Sequence, residues 1–228
     1  MSSGSSIDVS QLTDLRKALR DGAQVLDLDL SDLHFDKLLA YQALMEKWTR
    51  VYNLTAVRDP AEMMTHHLLD SLSAISPLRR QLHGAGLIHG ARVLDVGSGG
   101  GLPGAVIAIC CPEAQVSCVD AVSKKAAFVS QAAMELKLPN LAGLHARVES
   151  VTETFDVICS RAFASLADFT KLSRAALAPD GVWMAMKGKH PVDELVELPD
   201  GIEVFHVEQL AVPGLAAERC LVWMRPVP

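Results

Sequence analysis

The stretch Asp95-Val-Gly97-Ser-Gly99-Gly-Gly101-Leu-Pro103-Gly104 decides the reading of this chain. It closes a β-prone run, Arg92-Val-Leu-Asp-Val96, and opens a helix-prone one over residues 103–111. Glycine suits such a turn because φ can go positive and a ligand can approach backbone with no Cβ in the way. Pro103 suits a helix's first turn, where its missing N–H costs nothing. A turn serving structure alone would not need so many glycines. The loop is therefore expected to floor a ligand at the carboxyl end of a sheet, where open α/β sheets bind. The next β-prone run, Gln115-Val-Ser-Cys-Val119, leads into Asp120, nineteen residues after Gly101 and placed to accept hydrogen bonds from a ribose diol.

The same alternation continues downstream. Phe155-Asp-Val-Ile-Cys159 and Gly181-Val-Trp-Met-Ala-Met186 read as strands, as does the stretch 141–147, and residues 123–137 and 166–177 read as helices. Strand alternating with helix predicts a parallel sheet covered on both faces, a Rossmann-like α/β fold. Glu203 to Val207 and Arg219 to Trp223 have no long helix between them and predict an antiparallel finish. Upstream the character is helical. Leu38, Tyr41, Met45, Trp48 and Tyr52 recur at three- and four-residue steps, which predicts one apolar stripe along a helix. Asp59-Pro60-Ala61-Glu62 reads as a helix start with a capping box, followed by Met63, Met64, His67, Leu68 and Leu72. Gly84, Gly86 and Gly90 then punctuate a connection. Two parts are expected: an N-terminal helical region over residues 1–88 packing on a ligand-binding domain over residues 89–228.

The chain has 228 residues, of which 50% are hydrophobic and 21% charged. A chain of this size buries roughly 70% of its unfolded surface and needs no disulfide or metal staple. The longest uninterrupted apolar run, Ala105 to Cys111, is seven residues. A membrane span needs about 20, and Met1-Ser-Ser-Gly-Ser-Ser lacks the basic end of a signal peptide. A cytoplasmic monomer is expected. The five cysteines are odd in number and show no C-x-x-C spacing, and the eight histidines form no metal-binding motif, so buried reduced thiols and no metal are expected. The net charge of -6 argues against a nucleic-acid partner, but its distribution weakens the objection. Arg161 to Lys189 holds five basic residues against two acids, whereas Asp193 to Glu208 holds six acids and no Lys or Arg. Charge alone decides nothing.

The identity of the nucleotide rests on two features. Asp95, two residues before Gly97, stands where a dinucleotide fold keeps an apolar residue, and a carboxylate there can meet the amino-acid end of S-adenosylmethionine directly or through water. No second mononucleotide-binding half follows. Both favour a methyltransferase over an NAD-dependent oxidoreductase.

Several stretches together resemble the glucose-inhibited division protein B family (RsmG), bacterial 16S rRNA guanine-N7 methyltransferases. They are Tyr52-Asn-Leu-Thr-Ala-Val-Arg-Asp-Pro60, His67-Leu-Leu-Asp-Ser-Leu72, the glycine loop itself, Arg147-Val-Glu149, Ser160-Arg-Ala-Phe-Ala-Ser-Leu166 and Lys187-Gly188. The resemblance runs from about Phe35 to Trp223. It implies a seven-stranded S-adenosylmethionine-dependent methyltransferase sheet behind an N-terminal helical part, with 16S rRNA or the 30S ribosomal particle as partner and a guanine of the decoding-region loop as substrate. Ala121 stands where the family commonly has Ser. Gly97, Leu102, Val148, Glu149 and Arg161 match the family's cofactor positions. With Gly99 and Asp120 they form the expected S-adenosyl-L-methionine site: backbone at Gly97 and Leu102 against methionine and ribose, the Val148 N–H toward adenine N1, and Glu149 accepting from the exocyclic amine. Arg161 could bind the cofactor carboxylate, an RNA phosphate or the guanine. Gly99 stands in the loop and Asp120 at the ribose.

Guanine N7 carries a free in-plane lone pair in the neutral base, so its methylation needs no general base, only alignment in a water-poor pocket. The marks of other chemistries are missing. No D/N-P-P-Y loop follows the fourth strand, and Cys159 lacks the preceding Pro of a cytosine-C5 nucleophile. His66, His67 and Asp70 are read as helix-packing and lid residues rather than a proton relay, and no catalytic residue is assigned. The competing readings are a methyltransferase for a protein or small molecule, an NAD-dependent oxidoreductase, and a non-catalytic ribosome-binding protein.

Overall fold

A computed structural model describes residues 9–227; the serine-rich start lies outside them. The chain runs α1 (Val9–Val25), α2 (Asp32–Tyr52), α3 (Pro60–Met63), a π-helical turn (Met64–Leu69), α4 (Asp70–Leu72), α5 (Ile75–Gly84), β1 (Arg92–Val96), α6 (Gly104–Cys110), β2 (Gln115–Asp120), α7 (Ser123–Glu135), β3 (Leu141–His145), β4 (Phe155–Arg161), α8 (Leu166–Ser173), β5 (Leu177–Lys187), α9 (Val192–Val196), β6 (Ile202–Gln209) and β7 (Cys220–Pro226). Among the described residues no helix is long and apolar enough to cross a membrane.

The seven strands form one sheet in the order β3-β2-β1-β4-β5-β7-β6. The first five are parallel, and β7 lies antiparallel between β5 and β6. β1 pairs with both β2 and β4, so the strand order reverses beside it. That is the point at which an open α/β sheet leaves a crevice for a ligand, and the glycine loop leaves β1 there. The inner strands β1, β2, β4, β5 and β7 are largely buried on both faces, which is why they read as nearly continuous apolar runs, whereas the edge strands β3 and β6 are partly exposed. Successive residues alternate between two cores: Val93 packs with α1, α2 and α6, while Leu94 and Val96 pack with Leu166 and Phe169 of α8.

Helix starts and stops follow local chemistry. Asp59 caps α3 through its Oδ1, which accepts from the amides of Ala61 and Glu62 at 2.9 Å each; the return bond expected from Glu62 is not formed. Asn53 ends α2 in the left-handed conformation at φ 51°. The α2 stripe is buried at Leu38, Tyr41 and Met45, but Tyr52 at its end is 44% exposed. Leu15, Leu38 and Tyr41 share one core with Val93 and Ile107, so the N-terminal helices are packed into the sheet's own core. All five cysteines are buried and unpaired.

Candidate active site

Asp95 does not reach the crevice. It is completely buried beneath the loop, where its Oδ2 accepts from the Gly104 amide at 2.8 Å and its Oδ1 has no partner. Of the two contacts expected with a ligand's amino-acid end, the direct one is closed to Asp95, and its Oδ2 instead anchors β1 to the start of α6. A carboxylate suits that position because the first amides of a helix have no partner of their own. Burial raises its pKa to about 7, against the lowering effects of the Gly104 hydrogen bond and the Arg161 charge. At Gly104 a Cβ would stand 2.4 Å from Cys118 Sγ, so the helix can approach the sheet this closely only with glycine there.

The loop above is fixed from its other side by Asp120 at the end of β2. Its Oδ2 accepts from the Gly99 amide at 3.0 Å, its Oδ1 from the Val122 amide at 2.9 Å, and Lys125 Nζ stands 3.6 Å away. The Tyr41 hydroxyl of α2 donates to the Gly100 carbonyl. Gly97 has φ +63°, and a Cβ on it would meet the Phe163 ring at 2.3 Å. Backbone and ring therefore touch where no other residue fits.

Two cavities open on the loop and meet at Gly97 and Ala162. One, of about 450 Å³, is lined by Ser98, Gly99, Leu102 and Arg161 and, from outside the loop, by His66, His67, Asp70, Lys187 and Arg219. The other, of about 370 Å³, is lined by Asp120, Lys125, Arg147, Val148, Glu149 and Phe163. All seven residues singled out from sequence line one cavity or the other: Gly97 both, Gly99, Leu102 and Arg161 the first, Asp120, Val148 and Glu149 the second. Val148 and Glu149 sit on a 3-10 turn, Val148–Ser150, just past β3.

The first cavity holds an ion cluster that sequence reading missed. Arg161 Nη1 donates to Asp70 Oδ2 at 2.8 Å and to the His66 carbonyl at 2.9 Å, and Arg219 Nε donates to Asp70 Oδ1 at 2.9 Å. The Asp70 side chain is only 3% exposed, whereas its two arginine partners are 19% and 21% exposed. The one available signal was the Asp in His67-Leu-Leu-Asp-Ser-Leu72, an acid in an otherwise apolar helical run. Lys187, also on this wall, is engaged by Glu194 at 2.7 Å and by the Ala164 carbonyl at 3.0 Å.

Of the two histidines on this cavity, the buried one offers little base chemistry. His67 shares a hydrogen bond with Thr55 Oγ1 through Nε2 at 2.8 Å, and its Nδ1 has no partner. Burial first, and the Arg161 charge second, lower its pKa to about 4. It is neutral at pH 7 and too weak a base to collect a proton. Burial pushes the Cys159 thiol well above its ordinary value, so it is no nucleophile. Among the described residues no group of three or more His, Cys, Asp and Glu side chains could hold a metal ion.

Residues 34–222 match the family described as rRNA small subunit methyltransferase G. The chain belongs to that family. As a member it is an S-adenosylmethionine-dependent rRNA methyltransferase, as the sequence reading expected, and not an NAD-dependent oxidoreductase. It is 70% identical over 213 residues to the ribosomal RNA small subunit methyltransferase G of Polaromonas naphthalenivorans, an alignment covering 93% of this chain and 96% of the relative. The corresponding protein of Acidovorax ebreus is 65% identical over 219 residues, covering 94% of this chain and 97% of that one. The fold alone is shared with more distant structures. A SAM-dependent methyltransferase from Aquifex aeolicus is 18% identical with a TM-score of 0.53, covering 74% of this chain and 99% of that one. TrmN from Thermus thermophilus gives the same identity and TM-score, covering 72% of this chain and 53% of that one.

Proposed function

We propose that this family member methylates N7 of a guanine in the decoding-region loop of 16S rRNA, within 16S rRNA or the 30S particle, as a cytoplasmic monomer. The observation that supports the atom assignment is the cavity beside the glycine loop, which brings two arginines to one wall and whose buried imidazole, His67, is held neutral and weakly basic, leaving the exposed His66 as the other imidazole there. N7 attack requires no base, because the electron pair of the new bond is already free on the neutral guanine. When bound, S-adenosylmethionine supplies a methyl group activated by a sulfonium, which departs as a neutral thioether while the positive charge passes to the base.

The residues present fit that cofactor. At Gly99, φ +59°, a Cβ would meet nothing within 4 Å, so the loop backbone there is open to a ligand, and the buried Ser98 hydroxyl has no partner among the described residues. Asp120 keeps a free lone pair on each oxygen for a ribose diol beyond the amides it already accepts. Glu149 and the Val148 N–H serve the adenine edge, Gly99 and Leu102 offer backbone along the methionine side, and Arg161 stands where the two cavities approach each other. The division at residues 1–88 and 89–228 is part of the same proposal. The helical region contributes His66, His67 and Asp70 as one wall, and the sheet contributes the loop and the arginines.

Mass mapping of 16S rRNA from cells with and without the gene tests the reading, together with transfer of labelled methyl to unmodified 30S particles and to naked rRNA. A single 7-methylguanine lost from the decoding-region loop is expected. A label on another base, on another atom of guanine, or on protein would overturn it.

A further inference from the structure

We propose that Asp70 is a positioning residue of the methyl-transfer site, the single carboxylate that holds Arg161 and Arg219 so that their unused N–H groups face the RNA. The inference rests on the rRNA reading above. The two arginines come from opposite ends of the fold's logic. Arg161 is the last residue of β4, in the parallel half, and Arg219 immediately precedes β7, in the antiparallel finish, with β5 lying between the two strands. Left alone, two guanidinium ions on one cavity wall repel and turn to solvent. Asp70 enters from the helical part and gives one oxygen to each.

The arrangement leaves donors over. A guanidinium carries five N–H groups. Arg161 uses Nη1 alone, for Asp70 and the His66 carbonyl. Arg219 uses Nε for Asp70 and Nη1 for the Glu218 carbonyl. Nη2 of both and Nε of Arg161 take no partner among the described residues, and both side chains line the cavity beside the glycine loop. The cluster carries one net positive charge and a planar set of donors suited to the acceptors of a nucleotide, the guanine O6 or a neighbouring phosphate. Burying a carboxylate this completely strips it of hydration, and two charge-assisted partners offset that loss only while both stay in place. The site is thereby coupled to the seating of the helices: Asp70 follows directly on the π-helical turn Met64–Leu69, and its amide bonds to the carbonyls of His67 and Thr65 within that turn.

The test is Asp70→Asn in the whole chain, read three ways, with Asp70→Glu beside it. At saturating cofactor and 30S particles the single-turnover rate should fall about a hundredfold, the scale of losing an aligned donor, while the dissociation constant for S-adenosylmethionine moves less than about threefold. Arginine side-chain N–H resonances of Arg161 and Arg219, slowed in exchange in the wild type, should become fast in the variant. Asp70→Glu, which keeps the charge one methylene further out, should recover at least about a tenth of the wild-type rate. A rate within about threefold of wild type for Asp70→Asn, or unchanged arginine resonances, would overturn the proposal. So would an Asp70→Glu protein that is folded yet keeps less than about a hundredth of the wild-type rate, a measurement against wild type that also decides the matter if Asp70→Asn fails to fold. If the wild type itself does not methylate 30S particles while the resonances still depend on Asp70, the substrate reading has failed and the positioning role stands.

Discussion

Asp95 and His67 should tilt the protein's stability in opposite directions with pH, and single substitutions should separate them. The folded Asp95 carboxyl is raised by burial from 3.8 to about 7, so the native state holds a proton across that window that the unfolded chain has lost. Its contribution is complete at about pH 4 and is lost as pH rises to about 7, a displacement of roughly three pH units at about 1.4 kcal/mol each, or about 4 kcal/mol. His67 works the other way, lowered from 6.5 to about 4. Its contribution is complete above pH 6.5 and is lost as pH falls toward 4, about 3 kcal/mol by the same arithmetic. Between pH 4 and 6.5 the two slopes oppose each other and nearly cancel. Asp95→Asn keeps an oxygen for the Gly104 amide and removes the titration. Relative to wild type it should therefore gain up to about 4 kcal/mol between pH 4 and 7.5. His67→Gln should gain up to about 3 kcal/mol relative to wild type as pH is lowered from 6.5 to 4. Urea unfolding of the apo protein at half-unit steps from pH 4.5 to 7.5 measures both. An Asp95→Asn difference that stays constant to within about 0.5 kcal/mol over that range would refute the reasoning.

Asp120→Ala should weaken S-adenosylmethionine by roughly 1–3 kcal/mol, the worth of hydrogen bonds to a charged acceptor, measured by calorimetry with NAD as the control ligand. Because the reaction consumes no base, the logarithm of the single-turnover rate should lack a unit-slope rise across pH 6–8, and His66→Ala and His67→Ala should keep the chemical step to within about tenfold; a loss of about a thousandfold with intact cofactor binding would contradict this. Arg161→Ala should abolish turnover while weakening S-adenosylmethionine less than about tenfold, or ~1.4 kcal/mol, and Arg161→Lys should restore little, since a point charge cannot replace two bonds from one planar group. Cofactor affinity that collapses in step with activity would place Arg161 on the cofactor instead.

What the sequence determined by itself lies within short spans of chain. The strand-loop-helix unit around Gly97 to Gly104, the position of Asp120 at the end of β2 and the Asp59 cap each depend on residues a few positions apart, where backbone sterics and local hydrogen bonds act directly. β1 runs over the residues read for it, Arg92–Val96, and β4 continues the apolar run to Arg161. Strand ends were softer: β3 stops at His145 rather than Arg147, because the chain turns there to present Val148 and Glu149. The tertiary structure alone decided the rest. Insertion of β7 between β5 and β6 is a choice among edge pairings that no local pattern encodes. Asp95 has the same local sequence whether it faces a ligand or a helix end; only the packing of α6 against β1 and β2 turned it inward. Asp70 meets Arg161 across 91 residues and Arg219 across 149. Periodicity could show that Asp70 interrupts an apolar helix face, but not which charges offset its burial, because those partners arrive only when distant strands have paired and fixed where their ends stand.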